Sequence, residues 1–126
     1  MGTSEAQVEN ATLKLDPESP VLKDNREIEV TYTIRNNSKS LTRLEFPTTQ
    51  RIEILTYNSS GAIVDRWSDD RAFKAEEGVV VLNPAERIEF KEKISTRDMR
   101  SGETYKTEAS LISHPGFVVD RTVTPR

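Results

Sequence analysis

His114 is the only histidine in the chain, and it sits in the run Ser113-His114-Pro115-Gly116. An imidazole can serve as a general base or a metal ligand near neutral pH. A Ser-His-Asp site needs a positioned acid and nucleophile beside it, and zinc needs several His, Cys or carboxylate ligands together. Followed by proline and glycine, His114 reads as a turn residue. Asp65, Asp69 and Asp70 are oxygen donors of the kind that hold calcium. Arg66 and Arg71 are interleaved among them, however, and the D-x-[DN]-x-[DN]-G spacing is missing. The group therefore reads as a solvated charge cluster. The chain has no cysteine, which excludes thiol catalysis and a disulfide framework but does not settle the compartment. No Gly-rich phosphate loop is present, and no carboxylates are paired in a setting that would perturb them. The expectation is a protein that is not an enzyme and needs no cofactor or metal. Asn10-Ala11-Thr12, Asn36-Asn37-Ser38 and Asn58-Ser59-Ser60 match the glycosylation acceptor pattern, but Asn and Ser are also ordinary turn formers.

The elements that must carry any function are short and alternating. Ile28, Val30, Tyr32 and Ile34 alternate with Glu29, Thr31 and Thr33, as in a half-buried antiparallel strand, and Asn36-Asn37-Ser38 supplies the turn after it. Leu13 and Leu15 mark an opening strand, with Pro17 and Pro20 interrupting the path onward. Leu44 and Phe46 mark a strand stopped by Pro47. Ile52, Ile54 and Thr56 share one face of the next, which turns at Asn58-Ser59-Ser60-Gly61. A strand over 63–68 places Ile63, Asp65 and Trp67 on one side. Residues 68–77 read as a loop or helical turn. Val79 to Leu82 is a short apolar run closed by Asn83-Pro84, and Ile88, Phe90 and Ile94 recur at even spacing. After the polar turn closing at Ser101-Gly102, Tyr105, Thr107, Ala109 and Leu111 alternate, and a last strand runs from Phe117 to Val123. About eight strands, with turn signals every 8 to 12 residues or so, predict an all-β, immunoglobulin-like antiparallel β-sandwich.

With 126 residues, one domain is expected over residues 8-126, and residues 1-7 are expected to be disordered or of cloning origin. The charges are mixed along the chain, 18 Lys+Arg against 21 Asp+Glu, which argues against a clustered basic face for nucleic acid. No apolar run approaches the ~20 residues needed to span a bilayer, and residues 1–10 lack the pattern of a signal peptide.

The segment from Leu44 to Phe90 carries a resemblance. Phe46 ends one strand, and a short polar turn leads to Gln50 and then to the alternating Ile52 and Ile54. A turn at Gly61 leads to Arg66-Trp67-Ser68, followed by Phe73 and then by Leu82 before Pro84 and Glu86. This combined spacing resembles the bacterial intracellular proteinase inhibitor family, the BsuPI-type domain, over about Glu27 to Leu111. Two places depart from that family's pattern: Lys74-Ala75-Glu76-Glu77 where Thr-Gln is usual, and Ala85 where the turn usually has Gly. The resemblance implies a cytoplasmic protein that binds a protein partner, a serine protease of the subtilisin type. An extracytoplasmic location is implied instead if a signal peptide was removed. The alternative is a structural or accessory immunoglobulin-like interaction module of a secreted or envelope protein.

Trp67, the only tryptophan, has two readings: an anchor at a binding hot spot or a packing residue between sheets. The sandwich architecture favours packing, and Phe46 and Phe73 divide in the same way. Gln50 is assigned to satisfying loop backbone groups. An inhibitor must present a loop that is ordered before binding, because ordering it on binding costs affinity. Residues 68–77 are the preferred contact loop, with Ser68, Arg71, Phe73 and Lys74 as the candidate partner-binding residues.

Overall fold

Alternation of apolar and polar residues predicts strands with one wet and one dry face, and the burial pattern follows it. In the computed structural model, which describes residues 4–8 and 10–126, β3 (Glu27–Arg35) buries Ile28, Val30, Tyr32 and Ile34 completely, while Glu27, Glu29 and Arg35 face solvent. The other strands are β1 (Ser4–Val8), β2 (Ala11–Asp16), β4 (Thr42–Phe46), β5 (Ile52–Tyr57), β6 (Ile63–Arg66), β7 (Gly78–Leu82), β8 (Arg87–Ser95), β9 (Tyr105–Leu111) and β10 (His114–Val123). One sheet runs β1-β2-β3-β8, a second runs β10-β9-β5-β6, and β4 and β7 form a two-stranded ribbon. Every pairing is antiparallel. The predicted all-β sandwich is what the chain forms, with ten strands among the described residues where about eight were expected. The segment over residues 1-7 lies partly outside the described residues, and the backbone of Ser4–Val8 runs beside β2 as β1.

The core fills from both sheets. Leu13 and Leu15 of β2 join the buried residues of β3 and Ile94 of β8. From the other layer come Ile52 and Ile54 of β5, Tyr105, Ala109 and Leu111 of β9, and Val119 and Val123 of β10. The Tyr32 ring is fully buried, and its hydroxyl donates to the carbonyl of Phe117, so that polar atom is satisfied inside the core. Thr56 and Thr107 face each other across β5 and β9 with their hydroxyl oxygens 3.5 Å apart.

The ribbon is tied to the first sheet by Asn36, a buried amide just past the end of β3. Its Nδ2 donates to the carbonyls of Ser40 and Leu82 at 2.8 and 2.9 Å, and its Oδ1 accepts from the Ser38 backbone and hydroxyl. Its backbone closes the loop between β7 and β8, since Asn36 N donates to the Glu86 carbonyl and Ala85 N donates to the Asn36 carbonyl, both at 2.9 Å. Asn36 thus does more than make the local turn expected of it.

Two expectations need correction. The strand begun at Ile63 ends at Arg66, and Trp67–Asp70 forms a single turn of 3-10 helix. Ile63 is 45% exposed while Trp67 is 8% exposed, so the two do not share a face. His114 is the first residue of β10 and not a turn residue. The reversal is made by Ile112 and Ser113, with Ser113 at a φ of 67° and His114 paired with Leu111. Pro115 and Gly116 are accommodated because the β9–β10 register shifts between His114 and Val119.

Two measurements check this framework. Ala85 occupies the left-handed region at a φ of 69°, which is unfavourable for any residue with a Cβ. Ala85→Gly is expected to raise stability by up to about 1 kcal/mol in urea unfolding, the released strain exceeding glycine's entropic penalty. Burial pushes the Tyr32 hydroxyl well above the ordinary tyrosine range. The folded state therefore holds its proton where the unfolded state releases it, so this contribution is intact below pH ~10 and is lost as pH rises above that. The urea midpoint of the wild type should fall in that alkaline range, and Tyr32→Phe should flatten the fall.

Candidate functional site

The chain between β4 and β5 is the hub on which the candidate loop rests. Pro47 stops β4, and residues 48–51 cross to β5 before alternation resumes at Ile52. Thr48 and Gln50 make a local turn, with Gln50 N donating to Thr48 Oγ1 at 3.1 Å. The Gln50 side chain donates to the Ile52 carbonyl at 2.9 Å, within the same crossing. Arg51 Nη1 donates to the Thr48 carbonyl at 2.7 Å, and its guanidinium lies over the Phe46 ring, 4.7 Å from the centroid.

Glu53, a polar position in the alternation of β5, reaches from this hub to the next element. Its carboxylate accepts the Ser68 backbone N–H at 3.2 Å and the Ser68 hydroxyl, while also accepting the Ile54 N–H at 3.0 Å. A carboxylate taking two bonds from one residue fixes both the position and the direction of that residue. The chain at Trp67–Asp70 is thereby held in a turn where the sequence pattern alone would continue β6.

The turn carries Trp67 inward. Its indole is nearly buried, and among the described residues its N–H has no hydrogen-bond partner. Arg71 covers it: the guanidinium lies 4.3 Å from the Trp67 ring centroid, Nε donates to the Trp67 carbonyl at 3.2 Å, and Nη2 is 3.7 Å from Glu92 of β8. Phe73 packs against the same indole with ring centroids 6.0 Å apart, yet keeps 37% of its surface exposed. Beyond it, Lys74 is held by its backbone at both polar groups. Lys74 N donates to Thr49 Oγ1 at 2.8 Å, and Thr49 N donates to the Lys74 carbonyl at 3.0 Å. Residues 71–77 are all exposed, and outside these ties they run without regular secondary structure.

Of the residues singled out from sequence, Gln50, Trp67, Ser68, Arg71, Phe73 and Lys74 are gathered around the hub and the loop that crosses it. Phe46 sits apart. It is buried at the end of β4, with His114 edge-on at 5.3 Å between centroids. His114 Nε2 donates to the Glu45 carbonyl at 2.8 Å, which gives the ring a structural bond. Sequence reasoning missed Thr49, Glu53 and Glu92. The alternation of β5 assigned Glu53 to a wet face, and nothing local marks Thr49 or Glu92 as partners of a distant loop.

Beside the loop, Asp65, Asp69, Asp70 and Asp98 line one open groove together with Arg66, Arg71, Lys93 and Arg97. Burial, with the carboxylates of Asp98, Asp70 and Asp69 nearby, raises the Asp65 carboxyl above its ordinary range against the lowering pull of Arg97. Cations are interleaved throughout, and Arg66 Nε stands 3.5 Å from Asp69. Among the described residues no group of three or more His, Cys, Asp or Glu side chains is placed to hold a metal ion.

Comparison with known proteins adds the family. No curated protein matches the chain. Among solved structures, a β-glucosidase from Erythrobacter marinus aligns with 98% of this chain at a TM-score of 0.52 and 14% identity, a likeness of fold alone. This chain spans only 16% of that structure's chain. The family model described as intracellular proteinase inhibitor, BsuPI, matches residues 15–116. That match runs from β2 into β10 and takes in the whole hub and loop, and the chain belongs to the intracellular proteinase inhibitor (BsuPI) family.

Proposed function

We propose that this chain is a non-enzymatic inhibitor that binds a serine protease of the subtilisin type through the exposed segment 71–77. The observation that carries the reading is the double anchorage of that segment. At its start, Ser68 is held by Glu53 and Arg71 is clamped over Trp67; at Lys74, both backbone polar groups are held by Thr49. Between these anchors lie Ala72 and Phe73, and an exposed aromatic ring backed by a buried indole is the kind of group that fills a partner's pocket. A loop fixed before binding loses little conformational entropy on complex formation. It also resists being drawn into the geometry of cleavage. Without disulfides, these hydrogen bonds and the Trp67 platform supply the rigidity.

On this reading the candidate residues take two roles. Arg71 and Ser68 are engaged within the chain and support the loop. Phe73 and the side chain of Lys74 are presented outward and make the contact. Membership of the family supports a protein partner in general, and the choice of a subtilisin-type enzyme rests on what named relatives of the family inhibit.

Titrating the full chain against a subtilisin-type protease with a chromogenic peptide is expected to give saturable inhibition with the loop left uncut. Phe73→Ala should weaken it by about tenfold or more and Lys74→Ala by less, with the unfolding midpoint nearly unchanged for Lys74→Ala and lowered modestly for Phe73→Ala, which loses its packing on Trp67. Absence of inhibition at micromolar chain would count against the reading. Inhibition indifferent to both substitutions would move the contact elsewhere.

A further inference from the structure

Edge strands of soluble proteins are ordinarily guarded by charge, proline or irregular register, because an open ladder invites another strand. Most edges here have such guards. β8 alternates Arg87, Glu89, Lys91 and Lys93 on its exposed positions, and β4 carries Arg43 and Glu45. β6 is four residues long and includes Asp65 and Arg66, with irregular register against β5. β10 contains Pro115 and a register shift.

β7 has none of these. Its sequence is Gly78-Val79-Val80-Val81-Leu82, and among the described strands it pairs only with β4. Val79 and Val81 are 43% and 44% exposed, and Leu41 at the start of the ribbon is 55% exposed. Among the described residues, three of the five exposed large hydrophobics therefore belong to this one ribbon and its approach. Strand ends are partly occupied, since the Leu82 carbonyl accepts from Asn36 and the Arg51 guanidinium lies against Gly78. At its centre, Val79–Val81, the backbone makes no further hydrogen bond beyond the β4 pairing among the described residues.

The strand is also nearly symmetric about Val80. We infer that β7 is a self-association edge, taking β7 of a second copy antiparallel about a two-fold axis at Val80. In that register Val79 of each copy faces Val81 of the other and Val80 faces its equivalent. Outward from the strand, Glu77 meets Asn83 and Glu76 meets Pro84, so no like charges oppose each other. The pairing extends the ribbon to four strands and covers valines that are now wet. So short a contact falls at the small end of specific interfaces, so the association is weak and concentration-dependent. This inference does not rest on the inhibitor reading, although its register reaches Glu76 and Glu77 at the end of the segment 71–77.

The test is sedimentation of the full chain from about 10 μM to about 1 mM, the range in which a weak dimer shows. Wild type is expected to move from monomer to dimer. Val79→Lys and Val81→Glu are both at exposed positions and each places a charge opposite its complement on β4, Glu45 and Arg43 respectively. Circular dichroism should confirm both folded. Each variant alone should dimerise about tenfold more weakly than wild type, from two symmetric cross-strand changes. An equimolar mixture of the two should associate more tightly than either alone, because the register sets the new ammonium opposite the new carboxylate. A wild type that stays monomeric to 1 mM, a dimer unaffected in both variants, or a mixture no tighter than its components would overturn the inference.

Discussion

The Glu53 carboxylate is the constraint from which the candidate loop takes its shape. β5 is a core strand with Ile52 and Ile54 pointing inward, so Glu53 is carried on a rigid base and its own freedom is small. By accepting the backbone and hydroxyl protons of Ser68, it turns the chain out of β6 and drives the neighbouring Trp67 under the loop. Once the indole is there, Arg71 and Phe73 have a surface to lie on. The tie at Thr49 then fixes the far side at Lys74. These contacts, several of them to backbone groups, convert an exposed charged stretch into a held one.

The same logic explains how the sandwich manages without cross-links. A chain of this length buries about two-thirds of its unfolded surface, and here the core is aliphatic and aromatic, with several buried polar groups paired: Tyr32 on the Phe117 carbonyl, the Thr56–Thr107 pair and the Asn36 amide. Asn36 in particular joins the end of β3 to the ribbon and to the β7–β8 connection, so that the ribbon is not a loose appendage of the two larger sheets.

Much of the fold was legible because alternation is a local signal. Ile28 to Ile34, Tyr105 to Leu111 and Ile52 to Thr56 each declare which face is dry, and the turns at Asn58–Gly61 and Ser101–Gly102 use residues suited to them, with Gly61 and Gly102 at positive φ. The misreadings came where a non-local bond or an unexpected residue decides. Trp67 and Ser68 look like a continuing strand until a carboxylate 15 residues earlier bends them away. The β9–β10 reversal falls on Ile112-Ser113 and not on the Pro-Gly pair, because Ser113 adopts the left-handed conformation that glycine would normally supply. For the candidate site, residue types pointed to residues 68–77 and to Trp67, Phe73 and Lys74, which the fold gathers around one hub. Its anchors were invisible, since Thr49 and Lys74 are 25 residues apart and neither is unusual in composition.

Amide hydrogen exchange at Ser68 and Lys74 in the free protein reports directly on whether the loop is held before any partner arrives. Both N–H groups are expected to exchange far more slowly than their exposed neighbours Phe73 and Glu76, and Glu53→Ala should release Ser68 while leaving the β3 amides protected. Exchange at Ser68 and Lys74 as fast as at those neighbours would contradict the account.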